Sequence, residues 1–227
     1  MKTHLTLTTG LILITGLSTG LAQAPATGLA GAIITQRQKN DALMKQYSWN
    51  CRTEILVNGA VKDTRIELVN FGPTGQVQRS LLNDQQSPLP YGFWMRQLAM
   101  DIRQQVEQGL TGLRGLLDQY TLPGNGKILQ FLGTATIQAP DANGLLQLSG
   151  GSVVQPGDTM SLWINAAAKQ LNRLRIMTYY QGYEVTVTAT YKTSRSGLNY
   201  MAFAQVDCPA LNLSVQVQNF DYENQNF

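Results

Sequence analysis

The chain has 227 residues, with 17 Lys and Arg against 14 Asp and Glu, one histidine, and charged side chains at only 14% of positions. So sparse and nearly balanced a charge argues against a nucleic-acid binder, and the length suits one domain with a sizeable core. Abundant Gln and Asn take over much of the work of solvation.

Met1 to Ala22 reads as an export signal: Lys2 gives the positive start, Leu5 to Leu17 the apolar stretch, and Gly20-Leu21-Ala22 a small-residue cleavage site. The stretch is too short and too rich in Thr and Gly to span a bilayer. It has no cysteine at its end, so no lipid anchor is expected. Cleavage after Ala22 would leave residues 23–227 as a single soluble domain in the periplasm or outside the cell. It would also remove His4, the sole histidine. Ser-His and Cys-His catalysis, histidine metal sites and a histidine pH switch are then excluded.

After a small, flexible stretch from Pro25 to Gly31, a partly apolar stripe (Ile33, Arg37, Asn40, Met44, Tyr47) predicts a helix to about Tyr47. A strand from Ser48 to Val57 then meets Asn58-Gly59, a strong hairpin signal because a type I′ turn needs positive φ twice. A regular ladder from that turn sets Ile55 against Lys62, Thr53 against Thr64, Cys51 against Ile66 and Trp49 against Leu68. It leaves Asn50, Arg52, Glu54, Asp63, Arg65 and Glu67 on a solvated face. Gly72-Pro73-Thr74-Gly75 turns the chain into another strand, Gln76 to Leu82.

Residues 83–132 form a linker and helical insert. Asn83 to Tyr91 is polar and carries prolines. From Phe93 the period changes, and Met95, Leu98, Ile102, Val106, Leu110, Leu113, Leu117 and Tyr120 recur at three and four residues, as in an amphipathic helix or two. Gly109, Gly112 and Gly115 within it fit close packing on a sheet, or a helix kept marginal enough to move. Lys127 to Leu132 reads as one more helical turn.

From Gly133 onward the pattern is strand. Thr134 to Ala139 and Leu145 to Ser149 are weakly marked. Thr159 to Asn165 follows a Pro156-Gly157-Asp158 turn and puts Met160, Leu162 and Ile164 on one side, with Trp163 on the other under a loop or a partner. The run from Leu174 to Tyr191 sorts most cleanly. With Gln181-Gly182 as a two-residue turn, Tyr180 faces Tyr183, Thr178 faces Val185, Ile176 faces Val187 and Leu174 faces Ala189. In the last hairpin, Pro209-Ala210 as the tip would set Cys208 against Leu211, Val206 against Leu213 and Ala204 against Val215. The expected architecture is α+β, mainly β: about ten strands joined as consecutive antiparallel neighbours.

Several of these elements together resemble a known group. The segment Ser161 to Tyr222, with Gly197-Leu198-Asn199-Tyr200 and Val217-Gln218-Asn219-Phe220, is similar to the end of outer-membrane lipoprotein-sorting (LolA-like) domains. The front segment Ala42 to Gln78, with Lys45-Gln46-Tyr47-Ser48-Trp49 and the Asn58-Gly59 hairpin, is similar to exported bacterial proteins of unassigned function on the same plan. The resemblance implies a curved antiparallel incomplete β-barrel closed by helices, and a group whose members carry lipids, acyl chains or lipoproteins or sense envelope proteins. No family site residue transfers, because no position matches a functional motif.

The candidate ligand-lining residues are Leu174, Ile176, Val185, Val187, Val206, Leu213, Val215 and Val217, which otherwise form an ordinary core. Tyr179, Tyr180 and Tyr183 cluster at one hairpin tip as a cavity rim or an exposed turn. Cys51 and Cys208 can bridge or remain isolated buried thiols. Lys169, Arg173, Arg175, Lys192 and Arg195 gather near one end of a hairpin, as a solvated face or a patch for anionic headgroups. No carboxylate pair, phosphate loop, nucleophile elbow or metal-ligand cluster is present, and Asp141-Ala142-Asn143-Gly144 lacks the rest of a calcium loop. The sequence therefore points to a non-enzyme without cofactor or metal. It is either a carrier of a lipid, acyl chain or lipoprotein, or an envelope interaction or sensor module with a filled core.

Overall fold

The computed structural model describes residues 23–86, 116, 119–120 and 125–225. The expected signal, most of the linker and helical insert, and its three glycines lie outside them. The element order is α1 (Gln23–Met44), β1 (Tyr47–Val57), β2 (Ala60–Phe71), β3 (Val77–Gln86), α2 (Asn125–Thr134), β4 (Thr136–Gln138), β5 (Leu145–Gly151), β6 (Thr159–Asn165), β7 (Leu171–Tyr180), β8 (Tyr183–Thr193), β9 (Asn199–Cys208) and β10 (Leu213–Asn224). Helix α1 thus begins ten residues before the expected Ile33 and ends before Tyr47, whose backbone opens the first strand.

The strands form one curved, unclosed antiparallel sheet in the order β3-β2-β1-β10-β9-β8-β7-β6-β5-β4. Strands β4 to β10 are a plain meander, as expected. The break comes between β3 and β4, which are consecutive in the chain but lie at opposite edges. The first strand instead pairs with the last, from Tyr47 against Asn224 to Val57 against Leu213.

Two turns fix much of the register. Asn58 and Gly59 have φ of 52° and 75°, and Gln181 and Gly182 have 51° and 84°. Both are the primed turns whose twist matches paired strands. The β7–β8 ladder is the expected one throughout, from Tyr180 against Tyr183 to Arg173 against Thr190. Two other ladders differ. The last hairpin turns through a 3₁₀ segment, Pro209–Leu211, closed by Asn212 in the left-handed region, so Cys208 meets Leu213 and Val206 meets Val215. That shift is by two residues and leaves every side chain on its expected face.

The β1–β2 ladder slips by one residue, and there the faces exchange. A bulge at Lys62 leaves Leu56 against Val61 but Ile55 against Asp63, Thr53 against Arg65, Cys51 against Glu67 and Trp49 against Val69. Asp63, Arg65 and Glu67 therefore share the face of Cys51, while Ile66 and Leu68 turn to the other side with Arg52 and Asn50. Because side chains alternate with period two, one extra residue inverts a whole strand.

One row of facing residues shows what this does. From β5 to β3 it reads Leu148, Leu162, Leu174, Ala189, Ala204, Val217, Thr53, Arg65, Asp84. The next row reads Gly150, Met160, Ile176, Val187, Val206, Val215, Ile55, Asp63, Gln86. The inner face is aliphatic as far as β10, carries Thr53 and Ile55 on β1, and becomes charged on β2 and β3. Over its aliphatic part sit Leu29, Ala30 and Ile33 of α1, Leu116 and Tyr120, and Phe131 and Leu132 of α2, all in one cluster. Gly150 lets α2 approach: a Cβ there would lie 2.8 Å from the Phe131 ring.

Candidate functional site

The expected lining residues divide into two groups. Leu174, Ile176, Val185, Val187, Val206 and Val215 are buried in the cluster with the helices. Leu213 and Val217 pack against its margin and stay half-buried, and Thr53, Ile55 and Val57 beside them on β1 are half-buried too. The inner face thus has a strip along β10 and β1 that none of the described helices covers completely. Two open depressions, of about 360 and 530 Å³, lie near the ends of the strands, and Leu213 of the strip contributes to the larger. One is at the Asn165, Gln170, Tyr191 and Asn199 end of the sheet, and the other is around the Asn58-Gly59 and Pro209–Asn212 turns.

Beyond the strip the inner face carries linked charges. Arg65 lies 3.6 Å from Asp63 and 3.7 Å from Asp84, and Arg79 lies 2.8 Å from Glu67. Burial works against the Arg79 charge, but the neighbouring Cys51 sulfur and the Glu67 carboxylate outweigh it and hold the guanidinium above its ordinary value. At the same end Trp49 stacks on Tyr222 with ring centroids 5.5 Å apart, and its indole N–H donates to Asn219 Oδ1 at 3.2 Å.

The three rim tyrosines separate. Tyr179 and Tyr183 are exposed, whereas Tyr180 turns inward and packs against the core. Trp163 does face outward and is half-buried, and the Arg173 guanidinium, directly opposite on β7, sits 3.9 Å over its ring. Arg173 nonetheless remains exposed. Of the other basic residues, Lys169 is half-buried and donates to the Ala166 carbonyl in its own turn, while Arg175, Lys192 and Arg195 are exposed.

Cys51 and Cys208 are both buried free thiols. Cys208 pairs with Leu213, and Leu213 with Val57, which lies six residues along β1 from Cys51. At about 3.3 Å per residue this puts the two thiols roughly 20 Å apart along the strands, well beyond the reach of a disulfide. The bridge is thereby ruled out in this fold.

A polar centre that the sequence did not announce lies under the helices. Asp158, 1% exposed, accepts from the backbone N–H groups of Val153 (2.6 Å), Val154 (2.8 Å) and Gln155 (2.9 Å). The Tyr120 hydroxyl donates to its Oδ2 at 2.6 Å and contacts the Thr178 hydroxyl at 2.8 Å, and Gln155 Nε2 donates to Thr178 at 2.6 Å. Burial would raise the Asp158 pKa, but the donors from Gln155, Tyr120, Val154 and Val153 prevail and hold the carboxyl below its ordinary range. Tyr120 is pushed up, by burial first and then by this carboxylate. The pattern had marked Asp158 only as part of a turn, and Tyr120 only as the end of an apolar stripe. The available signal was Thr178, a polar residue on an otherwise aliphatic row. The Asp141 turn is closed by its own side chain, which accepts from the N–H groups of Asn143 and Leu145.

No family model and no curated protein matches the chain. Among solved structures the chain is similar to a DUF1329 family protein from Desulfovibrio piger, at 9% identity and TM-score 0.40, over 89% of this chain and 94% of that one. It is similar to a LolA superfamily protein from Nitrosomonas europaea, at 12% identity and TM-score 0.35, over 87% and 94%. A third is an outer membrane lipoprotein-sorting protein domain from Vibrio parahaemolyticus, at 9% identity and TM-score 0.35, over 87% and 94%. The LolA-like group that the sequence resembles thus stands among these structures. No helix among the described residues is long and apolar enough to cross a membrane.

Proposed function

We propose that the protein is an exported, non-enzymatic carrier that holds a lipid, an acyl chain or the acyl part of a lipoprotein between its curved sheet and its helices. Residues 1–22 would serve as the export signal and residues 23–227 as the carrier domain, working in the periplasm or outside the cell. The supporting observation is the half-buried strip of Leu213, Val217, Ile55 and Val57. It continues the apolar inner face past the described helices and ends at the Asp63, Arg65 and Glu67 ladder. Apolar side chains in such a groove gain by burial against a hydrocarbon chain, at about 25 cal/mol per Å², and the charges beyond keep the polar end of an amphiphile in water.

The test is mass spectrometry of an organic extract of the protein, expressed with its own leader and purified without detergent, together with titration by a fluorescent fatty acid. A stoichiometric lipid, or saturable probe binding lost in Val217→Lys with the fold retained, is the expected result. An empty protein that binds no probe would overturn the carrier and favour the interaction module, for which six of the eight expected lining residues already form a packed core.

A further inference from the structure

Strand β3 ends the sheet, and among the described residues its outer edge has no partner strand. It is long, ten residues, and exposes Val77 (52%), Leu81 (59%) and Leu82 (57%). An open edge with apolar side chains is a template for another strand. Proteins usually blunt such an edge with inward charges and bulges. Strand β3 has both, in Arg79, Asp84 and an irregularity at Leu82, and here they are complementary to themselves.

The irregularity lies between Leu81, which faces Glu67, and Asn83, which faces Ile66. In a regular strand Arg79 and Asp84, five positions apart, would point to opposite faces. The extra residue brings both to the inner face, beside Val69 and Arg65 respectively. We propose that β3 pairs antiparallel with β3 of a second copy, about a two-fold axis passing between Leu81 and Leu82. Arg79 then faces Asp84 of the second copy, Ser80 faces Asn83, Gln78 faces Gln85, and Leu81 covers Leu82. Inner side chains meet inner ones and outer meet outer on both sides of the axis, because the two irregularities fall opposite each other at the axis itself. The existing pairs Glu67–Arg79 and Arg65–Asp84 join into a continuous chain of alternating charge across the junction. An isologous contact of this kind closes on itself and leaves no further edge on β3 for growth into a filament.

The protein, expressed with its own leader, should sediment as a concentration-dependent dimer in analytical ultracentrifugation. Leu81→Lys/Leu82→Lys should shift it to monomer, with a melting temperature equal to the parent's at dilutions where the parent too is monomeric, since both side chains are exposed in the single chain. Ser80→Cys/Asn83→Cys should give a covalent dimer on oxidation. The single Ser80→Cys variant and the register-shifted Gln78→Cys/Asn83→Cys variant should not. A protein that stays monomeric at every concentration, as it would if residues 87–115 occupied this edge, overturns the proposal. So does a dimer that survives the double lysine substitution, or one that fails to cross-link in this register. None of these readouts depends on whether a lipid is bound.

Discussion

Tyr120→Phe removes one oxygen from a centre where every donor has a purpose. The Gln155 amide donates to Thr178, the Thr178 hydroxyl to Tyr120, and the Tyr120 hydroxyl to the Asp158 carboxylate at 2.6 Å. The last bond is to a charged acceptor that is 1% exposed, and such bonds contribute about 1.5–3 kcal/mol. A loss of about 2 kcal/mol is therefore expected, or roughly 4–8 °C in melting temperature for a chain of this size. Asp158→Asn turns an amide N–H toward backbone donors and should cost more, about 3 kcal/mol. The two residues share one network, so the double variant should lose little beyond Asp158→Asn alone. The effect should also depend on pH. The folded Asp158 pKa lies below its unfolded value, so its stabilisation is complete above the ordinary carboxylate pKa of about 3.9 and fades as pH falls through the folded value. Urea unfolding at neutral and acid pH measures all of this. A Tyr120→Phe protein as stable as the parent at neutral pH, or strictly additive losses in the double variant, would refute the network.

Three further outcomes follow from local geometry. Gly182 has φ 84° in the β7–β8 turn, so Gly182→Ala should cost about 1–2 kcal/mol, read as a lower urea midpoint at unchanged slope. Gly150→Ala would bring a methyl to 2.8 Å from the Phe131 ring; overpacking of this kind costs about 1–3 kcal/mol, and hydrogen exchange should rise in α2 more than in β7 or β8. Cys51 and Cys208 are free and buried, so thiol titration should find both in denaturant and neither in the folded protein, with a melting temperature indifferent to reductant.

Much of the β7 to β10 meander was legible because it is local. The Gln181-Gly182 turn and the alternation of Leu174, Ile176, Val185 and Val187 admit one register, and the structure has it. The shifted turn after Cys208 did no harm, since two residues preserve the faces. The candidate site was legible only as an aliphatic face. Which parts of it are filled and which stay half-open depends on where α1, Leu116, Tyr120 and α2 come to rest.

From sequence alone came the strand-rich class, the two primed turns and the apolar side of the last four strands, because period-two alternation and positive φ are properties of neighbouring residues. Tertiary contacts set the rest. Nothing near Lys62 in the chain announces a bulge. The slip there lets β1 match β10 on one side and β2 on the other, and with it Asp63, Arg65 and Glu67 moved to the inner face. Asp158 became a buried anchor because Tyr120, 38 residues away, reaches it. The first strand met the last across 177 residues from Tyr47 to Asn224. Such pairings are chosen by the competition among whole faces for burial, which no short window of sequence contains.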